Sequence, residues 1–555
     1  MLIAPMIGNY DFREIITQGY YVDKTGFIVE IGNYLDTGSV MLFCRPRRFG
    51  KSLMLSALRY FFSKQFHDAQ FLFKRLEVAS SPIMEKANTK DVIFLDFKNC
   101  IDQEPATLLI KTFEVISNQV RRYDYIKDLS SLYPSEQAVI QRIRLGNAKQ
   151  SDYESSILIL CKLIHNSSGS KPILLFDEYD AQMNEAFKND SLGAIANFFK
   201  NFYGITLKGN THVSLTILTG VLPFASESLS AGVNNISTDN GIYTICKREY
   251  FAFTRKEIEK MAKDTKNPCD LDEIKQWYGG YNYRSMEHFN PWSVLNYFSH
   301  GQEKMLYWGR TGSSSMIGKL FGSHSLDRDL SSLFNNRELA LQTDLDFSYT
   351  DIEKSEDARF TFLYSAGYLT SKRSDDGSVL LYIPNRETRE ILKKLLLDNV
   401  NKSGQRIIDL RSAFLKQDTD ALSRFFTWLL PTLSQDDFSD WRVYQSMVAI
   451  ITALAFEDYY VDQEIVSGEG RCDVFITPKS GIDFGIIIEV KSIKYKTSVQ
   501  RLNQRAEACL KQISSKNYPA QMFRKGIKKV HAFGIAFCKT SVSVLSETII
   551  NTEIK

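Results

Sequence analysis

The chain has 555 residues, which is more than one hydrophobic core ordinarily serves, and this length predicts two to four domains. The apolar fraction of 44% and the charged fraction of 24% are typical of folded, soluble proteins. The net charge of +3 is too small to indicate nucleic-acid binding by the whole chain, so any such site must be a local basic patch. The eight cysteines form no CxxC pair, which argues against a zinc site and suits a reducing compartment.

The sequence carries no sign of a targeting or membrane segment. Residues 1–7 are apolar, but no basic segment precedes them, as a secretory signal would require. The apolar stretch at 447–456 is too short to span a bilayer and predicts a helix of the core. We therefore expect a cytoplasmic protein without a membrane partner.

Residues 45–52, Arg-Pro-Arg-Arg-Phe-Gly-Lys-Ser, have the chemistry of a phosphate-binding loop. The glycine lets the backbone close around phosphate oxygens, Lys51 can reach the β- and γ-phosphates, and Ser52 can bind Mg²⁺. The apolar run 40–44 predicts a buried strand before the loop, and the spacing over 53–62 predicts an amphipathic helix after it. This order places the N-terminus of a helix against the bound anion.

The loop departs from the usual pattern at its first position, where Arg45 replaces a glycine. A basic surface turn before a helix is therefore the alternative interpretation. The three arginines of the loop could pair with phosphates, bind an acidic neighbour or be solvated, and the bidentate guanidinium suits a γ-phosphate. A second copy of the chain could also supply an arginine finger in a homo-oligomer. The residues expected to bind ATP here are Arg45, Pro46, Arg47, Arg48, Phe49, Gly50, Lys51 and Ser52.

A hydrolytic site also needs carboxylates, and the apolar run 173–176 is followed directly by Asp177 and Glu178. Asp177 would hold Mg²⁺ through its water shell, and Glu178 would polarise the attacking water. The run 92–95 also ends in an aspartate, Asp96, but phenylalanine follows it, so this rival lacks the second carboxylate. We predict the magnesium and hydrolysis roles at Asp177 and Glu178.

A polar residue, Thr219, follows a third apolar run at 213–218. Thr219 could sense the γ-phosphate from between the two other sites. A hydroxyl that caps its own turn is an equally good interpretation. We therefore include Thr219 among the candidate nucleotide-binding residues.

The middle of the chain is rich in aromatic residues and glycines. Residues 277–283 and 290–293 could form a stacking platform for bases, although a packed turn between helices is the commoner meaning of such a pattern. Residues 362–370 predict a helix and 379–384 a following hairpin, which is compatible with a winged-helix lid.

Three apolar runs between residues 459 and 490 predict neighbouring strands near the C-terminus. A turn near Gly481 would place Asp473 opposite Glu489, because both are eight residues from that glycine. Lys491 is two residues beyond Glu489 and therefore shares its face of the strand.

Two carboxylates and a lysine at this place have a clear chemical use. The carboxylates would hold one or two Mg²⁺ or Mn²⁺ ions beside a scissile phosphate, and the ammonium would orient the attacking water. A simple ion pair between Glu489 and Lys491 is the equal alternative. The catalytic candidates are Glu178, Asp473, Glu489 and Lys491. The metal-ligand candidates are Ser52, Asp177, Asp473, Glu489, Glu464 and the backbone carbonyl of Val490.

Six motifs occur in order along the first 300 residues, namely 21–25 (Tyr-Val-Asp-Lys-Thr), 45–52, 176–180 (Phe-Asp-Glu-Tyr-Asp), 230–235 (Ser-Ala-Gly-Val-Asn-Asn), and the aromatic motifs 277–283 and 290–293. Together they resemble the bacterial and archaeal AAA-ATPase-like family, over about residues 8–300. In that family an arginine at the position of Arg45 is ordinary, and members commonly carry a C-terminal nuclease-superfamily domain. The resemblance implies ATP binding at Gly50, Lys51 and Ser52.

Residues 440–540 resemble the PD-(D/E)XK nuclease superfamily, and 470–473 (Gly-Arg-Cys-Asp) matches its usual entry to the site. The resemblance implies that Gln512 and Tyr518 assist metal or nucleic-acid placement. It departs at Gln445, where the family pattern has histidine. Basic residues that could follow a phosphate backbone, or form a solvated helix face, are Lys494, Lys496, Arg501, Arg505 and Lys511.

We therefore expect an α/β protein that binds and hydrolyses ATP with Mg²⁺ and couples this to a metal-dependent nuclease. The expected partner is nucleic acid, DNA more than RNA. One alternative is a nucleotide-switched scaffold whose nuclease fold only binds, and another is an ATPase that does not turn over. The predicted domains are a P-loop AAA-like ATPase domain at 1–250, a helical and winged-helix-like coupling region at 251–400, and a PD-(D/E)XK nuclease-like domain at 401–555.

Overall fold

A computed structural model gives the fold of most of the chain. Four sequence features lie outside the residues that it describes, namely the motif 230–235, Gly481, Lys494 and Lys496. The described residues are 6–223, 236–311, 333–334, 338–341, 349–352, 355–376, 378–400, 405–430, 441–480, 484–493, 497–539 and 541–551.

The chain is an α/β protein that forms two compact units. The sequence-derived boundaries near residues 250 and 400 stay predictions. The first unit comprises Met1–Thr311, Leu341–Val379 and Pro384–Thr388, and the second comprises Gly312–Ala340, Leu380–Ile383 and Arg389–Lys555.

The first unit is built on a parallel five-stranded sheet with the strand order β2-β3-β4-β1-β5. Its central strands are almost continuously apolar and buried, as expected when helices cover both faces of a parallel sheet. The order places β4 between β1 and β3, so the carboxyl ends of these three strands are neighbours. The strands are β1 (Ser39–Cys44), β2 (Val92–Asp96), β3 (Ile173–Asp177), β4 (Leu215–Gly220) and β5 (Ile236–Asp239).

Helices precede, connect and follow these strands, because parallel strands require long crossover connections. The α-helices up to β5 are α1 (Phe12–Gln18), α2 (Gly26–Gly32), α3 (Lys51–Phe62), α4 (Pro105–Arg122), α5 (Pro134–Leu145), α6 (Gln150–Ser168), α7 (Ala181–Lys188) and α8 (Leu192–Leu207). Short 3₁₀ turns lie at Lys64–Phe66, Ala69–Phe73, Glu77–Ser80, Pro82–Lys86 and Trp308–Thr311.

The remainder of the first unit packs against the loop that follows β1. Phe49 of that loop is fully buried and meets the ring of Tyr281 edge-on, with 5.2 Å between ring centroids. Tyr278 and Tyr281 are also buried, so the motif around them is a packed turn and not a platform for bases. The elements are α9 (Arg255–Asp264), α10 (Leu271–Tyr278), β6 (Tyr281–Tyr283), β7 (Met286–His288) and α11 (Pro291–Ser299).

The chain then continues through β8 (Leu339–Leu341), α12 (Tyr349–Ile352), α13 (Glu356–Ala366), β9 (Thr370–Arg373), β10 (Val379–Tyr382) and α14 (Arg386–Val400). A helix followed by two strands is present in this region, but the helix ends at Ala366 and the first strand begins at Thr370, before the predicted hairpin at 379–384. A winged-helix role stays a prediction. Within the described residues, no helix combines the length and apolarity needed to cross a membrane.

The second unit contains a mixed five-stranded sheet in the order β11-β12-β13-β14-β15, in which only β13 and β14 pair in parallel. The edge of this sheet at β15 is covered, because the hydroxyl oxygens of Thr427 and Ser423 accept hydrogen bonds from the backbone N–H groups of Val542 and Val544. The helices are α15 (Gln405–Lys416), α16 (Thr419–Leu429), α17 (Trp441–Ala455), α18 (Val499–Ser515) and α19 (Ala520–Arg524). The strands are β11 (Tyr459–Ser467), β12 (Gly470–Pro478), β13 (Phe484–Ser492), β14 (Lys529–Phe537) and β15 (Val542–Ile550).

Candidate functional sites

The loop 45–52 joins β1 directly to α3, as the sequence predicts. Gly50 is the N-cap of α3 with φ of 82°, a left-handed conformation that glycine adopts without steric cost. No side chain caps this helix end. The first N–H groups of the helix therefore lack intrahelical acceptors, and the helix dipole adds positive potential there. This arrangement suits a phosphate group.

Lys51 is buried inside the loop, and its ammonium donates to the backbone carbonyls of Arg45 and Pro46, at 2.7 and 2.9 Å. Burial lowers the pKa of Lys51, while the nearby carboxylates of Glu178 and Asp180 act in the opposite direction. Lys51 thus shares one charged region with the end of β3. Ser52 follows in the first turn of the same helix.

Asp177 ends β3 and is completely buried. One of its oxygens, Oδ1, accepts a hydrogen bond from the Thr219 hydroxyl at 2.7 Å. Its other oxygen, Oδ2, is buried and has no hydrogen-bond partner among the described residues. An unpartnered buried carboxylate oxygen is costly, and a hard divalent cation or its water shell would satisfy it. Asp177 therefore fits a magnesium ligand.

Thr219 lies at the end of β4, the strand between β1 and β3. Its hydroxyl bonds to the side chain of Asp177 on the neighbouring strand, instead of only capping its own turn. This places Thr219 between the phosphate loop and the carboxylates. Its role as a sensor of the γ-phosphate stays a prediction.

Glu178 has a φ of 50°, which is unusual for a residue other than glycine. Such conformations cluster at functional sites, where they aim a side chain that an extended backbone could not. Burial raises the pKa of the Glu178 carboxyl, and the charge of Lys51 partly offsets this. A carboxyl with a raised pKa is better suited to accept a proton from water.

Asp96, the rival carboxylate, ends β2 and lies in register with Asp177. It is farther from the loop, because β3 and β4 separate its strand from β1. The backbone N–H of Lys98 donates to it at 3.0 Å, and burial raises its pKa. The geometry therefore favours Asp177 over Asp96.

Asp180 is a site residue to which the sequence assigned no role. Its carboxylate accepts the backbone N–H groups of Val221 and Leu222, at 3.0 and 2.9 Å. It thereby ties the segment after β3 to the segment after β4. Gly220 permits this contact, since a Cβ there would lie 2.5 Å from the Tyr179 ring. The sequence signals for it were its place as the last residue of the motif 176–180 and its position at the start of a helix that follows a buried strand.

The prediction that the Arg45 side chain binds ATP is wrong, because its guanidinium does not face the phosphate site. It is buried between two carboxylates, with its Nη2 at 2.7 Å from Asp239 and 2.6 Å from Glu249. Burial opposes the charge, but these carboxylates outweigh it and raise the pKa of Arg45. Of the three possibilities for this residue, the structure shows an acidic neighbour. Only its backbone carbonyl reaches Lys51.

The other two arginines of the loop are held by tryptophans from the following region. The Arg48 guanidinium lies 4.3 Å from the ring centroid of Trp292. Trp308 donates its indole N–H to the carbonyl of Arg47 at 3.1 Å. The Arg47 side chain is half-buried and that of Arg48 is exposed, so both remain accessible from solvent.

Behind this contact lies a buried carboxyl, Glu387, in the first turn of α14. It accepts the backbone N–H of Trp308 at 2.8 Å and the hydroxyl of Ser293 at 2.7 Å. Burial raises the pKa of Glu387 to about 7. A chain of contacts therefore runs from Glu387 through Trp308 to the phosphate loop.

The second site lies on the C-terminal sheet. Val474 pairs with Ile488 between β12 and β13, and this antiparallel register places Asp473 opposite Glu489, as the position of the turn predicts. The Val490 N–H donates to Asp473 Oδ2 at 2.7 Å. A strand residue presents its N–H and C=O to the same neighbouring strand. The Val490 carbonyl therefore lies on the side of Asp473.

A single amide connects the remaining groups of this site. Gln512 of α18 donates from its Nε2 to Glu489 Oε1 and accepts from the ammonium of Lys491 at its Oε1. Its Nε2 also lies 3.1 Å from the hydroxyl of Tyr518, which donates to the carbonyl of Arg471 at 2.7 Å. Lys491 Nζ lies 3.7 Å from Glu489 Oε1. Lys491 and Glu489 therefore form both an ion pair and part of a larger network.

The electrostatics of this pair suit a cation. Burial raises the pKa of both Asp473 and Glu489, and the repulsion of Asp473 adds to the shift of Glu489. The buried Glu489 Oε2 has no hydrogen-bond partner among the described residues. Hard carboxylate oxygens prefer Mg²⁺ or Mn²⁺. The residues present therefore fit a divalent metal ion.

Glu464 lies opposite Asp473 on β11, since Gln463 pairs with Val474 and Ile465 with Cys472. Its charge contributes to raising the pKa of Asp473. In the part of the chain that the structure describes, however, no three His, Cys, Asp or Glu side chains converge as metal ligands would. Glu464 is thus a neighbour of the pair, and its role as a ligand stays a prediction.

Gln445 is buried on α17 and donates to the backbone carbonyl of Asp473 at 3.3 Å. The helix therefore contributes an amide to the back of the site. A glutamine makes this contact without changing the charge of the site.

Comparisons with known proteins agree with this architecture. Residues 6–230 match the family model described as a predicted AAA-ATPase, and residues 441–547 match that of the PD-(D/E)XK nuclease superfamily. The described part of the first match contains the loop 45–52, Asp177 and Glu178, and the second contains Asp473, Glu489 and Lys491. The motif 230–235 lies outside the described residues.

A relative from Azotobacter chroococcum mcd 1, "Uncharacterized protein in vnfD 5'region", is 24% identical over 544 residues, which are 95% of this chain and 94% of the relative. The solved "Structure of Drosophila ORC bound to AT-rich DNA and Cdc6" is 10% identical and covers 70% of this chain and 93% of its own, with a TM-score of 0.17. That score is too low to carry an argument. The two family matches show a predicted AAA-ATPase domain over residues 6–230 and a PD-(D/E)XK nuclease-superfamily domain over residues 441–547.

Proposed function

We propose that the protein binds and hydrolyses ATP and that this activity controls a Mg²⁺-dependent nuclease in its C-terminal domain. The observation that carries the nuclease proposal is the buried pair Asp473 and Glu489, which face each other across two strands beside Lys491. Two raised carboxyl pKa values and an unpartnered oxygen in one place are best explained by a site that receives a cation. Mn²⁺ could replace Mg²⁺ there.

The ATP site would use the groups around α3. The N–H groups of the loop and helix end bind phosphate oxygens, and Lys51 exchanges its carbonyl partners for phosphate oxygens. Ser52 and Asp177 would hold the Mg²⁺ that accompanies ATP. Glu178 would accept a proton from the attacking water, for which its half-buried position beside Lys51 is suited.

The nuclease site would cut a phosphodiester. The bound metal would offset the charge of the phosphate and make water a better nucleophile. Lys491 would orient that water, and Gln512 would hold Lys491 and Glu489 in a fixed relation. The expected substrate is nucleic acid, DNA more than RNA.

Coupling between the two activities would begin at the contact of Trp308 with the loop. A change in the loop on ATP binding alters the environment of Trp308, whose indole N–H bonds to the loop. The change then reaches Glu387, which accepts the backbone N–H of Trp308. Glu387 lies in the first turn of α14, and this helix continues beyond Thr388 into the second unit. A second copy of the chain, with an arginine directed at the γ-phosphate, would complete the proposed assembly.

The nuclease proposal is tested with labelled DNA and RNA, Mg²⁺ or Mn²⁺, and ATP. The substitution Asp473→Asn keeps an acceptor for the Val490 N–H but removes the charge, so it should abolish cleavage without unfolding the domain. The matched control, Glu507→Gln, removes a carboxylate from the exposed face of α18 and should leave cleavage unchanged. Equal cleavage by wild type and Asp473→Asn would contradict the proposal.

The second candidate is a nucleotide-switched scaffold that binds nucleic acid or a protein without cutting. It is favoured by Gln445, which brings an amide to the back of the site where the family pattern has histidine. A scaffold would bind DNA with equal affinity in wild type and Asp473→Asn and would show no cleavage with either metal ion. Phosphate release by wild type and Glu178→Gln then separates an ATPase from a switch that does not turn over.

A further inference from the structure

The helix α18 has a defined orientation on the C-terminal sheet. Its buried stripe faces the sheet and consists of Leu502, Ala506, Cys509 and Ile513. On one flank Gln512 bonds to Glu489 and Lys491 of β13. On the other flank Asn503 accepts from the Ser543 hydroxyl of β15 at 2.7 Å, so the two flanks of the helix face different strands.

Two arginines lie on the flank of Gln512. Arg505 and Arg501 precede Gln512 by seven and eleven residues, which at 3.6 residues per turn places all three on one stripe. With a rise of about 1.5 Å per residue, the arginines lie about 10 and 16 Å along the helix from Gln512. Both side chains belong to exposed residues. A row of positive charge therefore leads away from the candidate nuclease site.

Among the described residues, no side chain neutralises the charge of this row. In the part of the chain that the structure describes, neither arginine forms an ion pair. Lys511 differs, because it pairs with Glu507 at 2.9 Å on the outer face of the same helix. Among the described residues, the helix therefore carries two arginines without an ion pair on the flank of Gln512, and an ion-paired lysine, Lys511, on its outer face.

We propose that Arg501 and Arg505 bind the backbone of the DNA strand that is cut at the Asp473–Glu489 site. This inference rests on the proposed nuclease function and specifies its substrate surface. A duplex strand advances about 3.4 Å per nucleotide, so both arginines fall within about five nucleotides of the cut. Contacts to phosphates carry no base information. This surface therefore positions the strand without selecting its sequence.

The test compares wild type with Arg501→Ala/Arg505→Ala and with the control Lys511→Ala. Binding to a labelled duplex is measured in EDTA, where no cleavage occurs, over a series of salt concentrations. The double variant should lower the slope of log K against log salt by about two, because each lost phosphate contact contributes about one. Lys511→Ala should keep the slope, and Arg501→Lys/Arg505→Lys should restore most of it. With Mg²⁺, the double variant should raise KM and leave kcat nearly unchanged.

Four results would overturn the inference. If wild type binds and cuts DNA but the double variant keeps the wild-type slope, the surface is wrong and the nuclease function stands. An equal loss in Lys511→Ala would show a general charge effect. If wild type neither binds nor cuts DNA or RNA, the nuclease function itself fails. If the double variant lowers the salt slope by two units for RNA but not for DNA, the surface binds RNA and the DNA proposal is refuted.

Discussion

Trp308 donates its indole N–H to the backbone carbonyl of Arg47, at 3.1 Å, and so ties the phosphate loop to a residue that is 261 positions away in the sequence. The indole is buried and packs near the ring of Tyr368. Because the loop must present its N–H groups to phosphates in a fixed geometry, a bond to one of its carbonyls from outside helps to set that geometry. Trp308 is therefore a positioning residue for the nucleotide.

Replacing Trp308 by phenylalanine should weaken ATP binding by about two- to tenfold, since one neutral hydrogen bond contributes about 0.5–1.5 kcal/mol. The phenylalanine retains the aromatic contact with Tyr368 but cannot donate to Arg47. Calorimetry with a non-hydrolysable ATP analogue measures the effect. The control is Trp277→Phe. In the wild type, the indole of Trp277 packs with Arg386 and Tyr278. Equal weakening by both substitutions would refute a specific role for Trp308.

Glu178→Gln should retain ATP binding but reduce the rate of phosphate release by about 10²- to 10⁴-fold, the usual contribution of a general base. The amide cannot accept the proton of the attacking water, although glutamine has nearly the size and shape of glutamate. Asp96→Asn is the matched control on the neighbouring strand end and should keep most of the activity. A larger loss in Asp96→Asn than in Glu178→Gln would reverse the assignment of the two strand ends.

Glu249→Gln should destabilise the first unit by about 1.5–3 kcal/mol, because it removes the charge-assisted hydrogen bonds that the buried Arg45 donates to Glu249, while Asp239 still balances the charge. Thermal and denaturant unfolding, followed by a probe in this unit, measure the change. The neighbouring ion pair of Arg248 with Glu77 is half-exposed and is the matched control. Glu77→Gln should change stability by no more than about 1 kcal/mol. Similar losses in the two variants would show that Arg45 is not held by a buried pair.

The raised pKa of Glu387 predicts a specific dependence of the protein's stability on pH. Its folded-state pKa is about 7, above the ordinary value of 4.5, so the folded state prefers the protonated carboxyl. The contribution of proton binding by Glu387 to the free energy of unfolding is complete below about pH 4.5 and is lost as the pH rises through 7. At pH 8 the folded protein must bury the charge, which costs about 3 kcal/mol.

The substitution Glu387→Gln should therefore raise the unfolding midpoint relative to wild type at pH 8 and have little effect at pH 5. Glutamine keeps an acceptor for the backbone N–H of Trp308, and its amide N–H₂ can donate to the Ser293 oxygen in place of the bond that the Ser293 hydroxyl donates to Glu387. Scanning calorimetry from pH 5 to 8 gives the difference between the two proteins. A difference that does not change with pH would mean that Glu387 stays in one protonation state throughout this range.

Local sequence patterns were sufficient to predict which strand ends hold the candidate site residues. Asp177 and Glu178 follow a short apolar run, and the position of the turn near residue 481 predicted that Asp473 and Glu489 would be opposite each other. Both predictions depend only on the alternation and pairing of neighbouring residues. The observed register has the same arrangement.

The contacts that hold these groups in place could not be predicted in this way. Arg45 meets Asp239 and Glu249, which are 194 and 204 residues away in the sequence, and nothing in the loop distinguishes this from a phosphate contact. Asp180 likewise meets backbone groups more than 40 residues away. Such partners are set by the order of strands in the sheet, which local periodicity does not encode.

The central claim is that ATP at the loop 45–52 controls cleavage at the Asp473 site, and one assay tests it most directly. Cleavage of labelled duplex DNA is measured with Mg²⁺, with and without ATP, for wild type, Lys51→Ala and Asp473→Asn. We predict that ATP changes the cleavage rate of wild type, that Lys51→Ala no longer responds to ATP, and that Asp473→Asn does not cut. Cleavage that is independent of ATP and equal in wild type and Lys51→Ala would contradict this account.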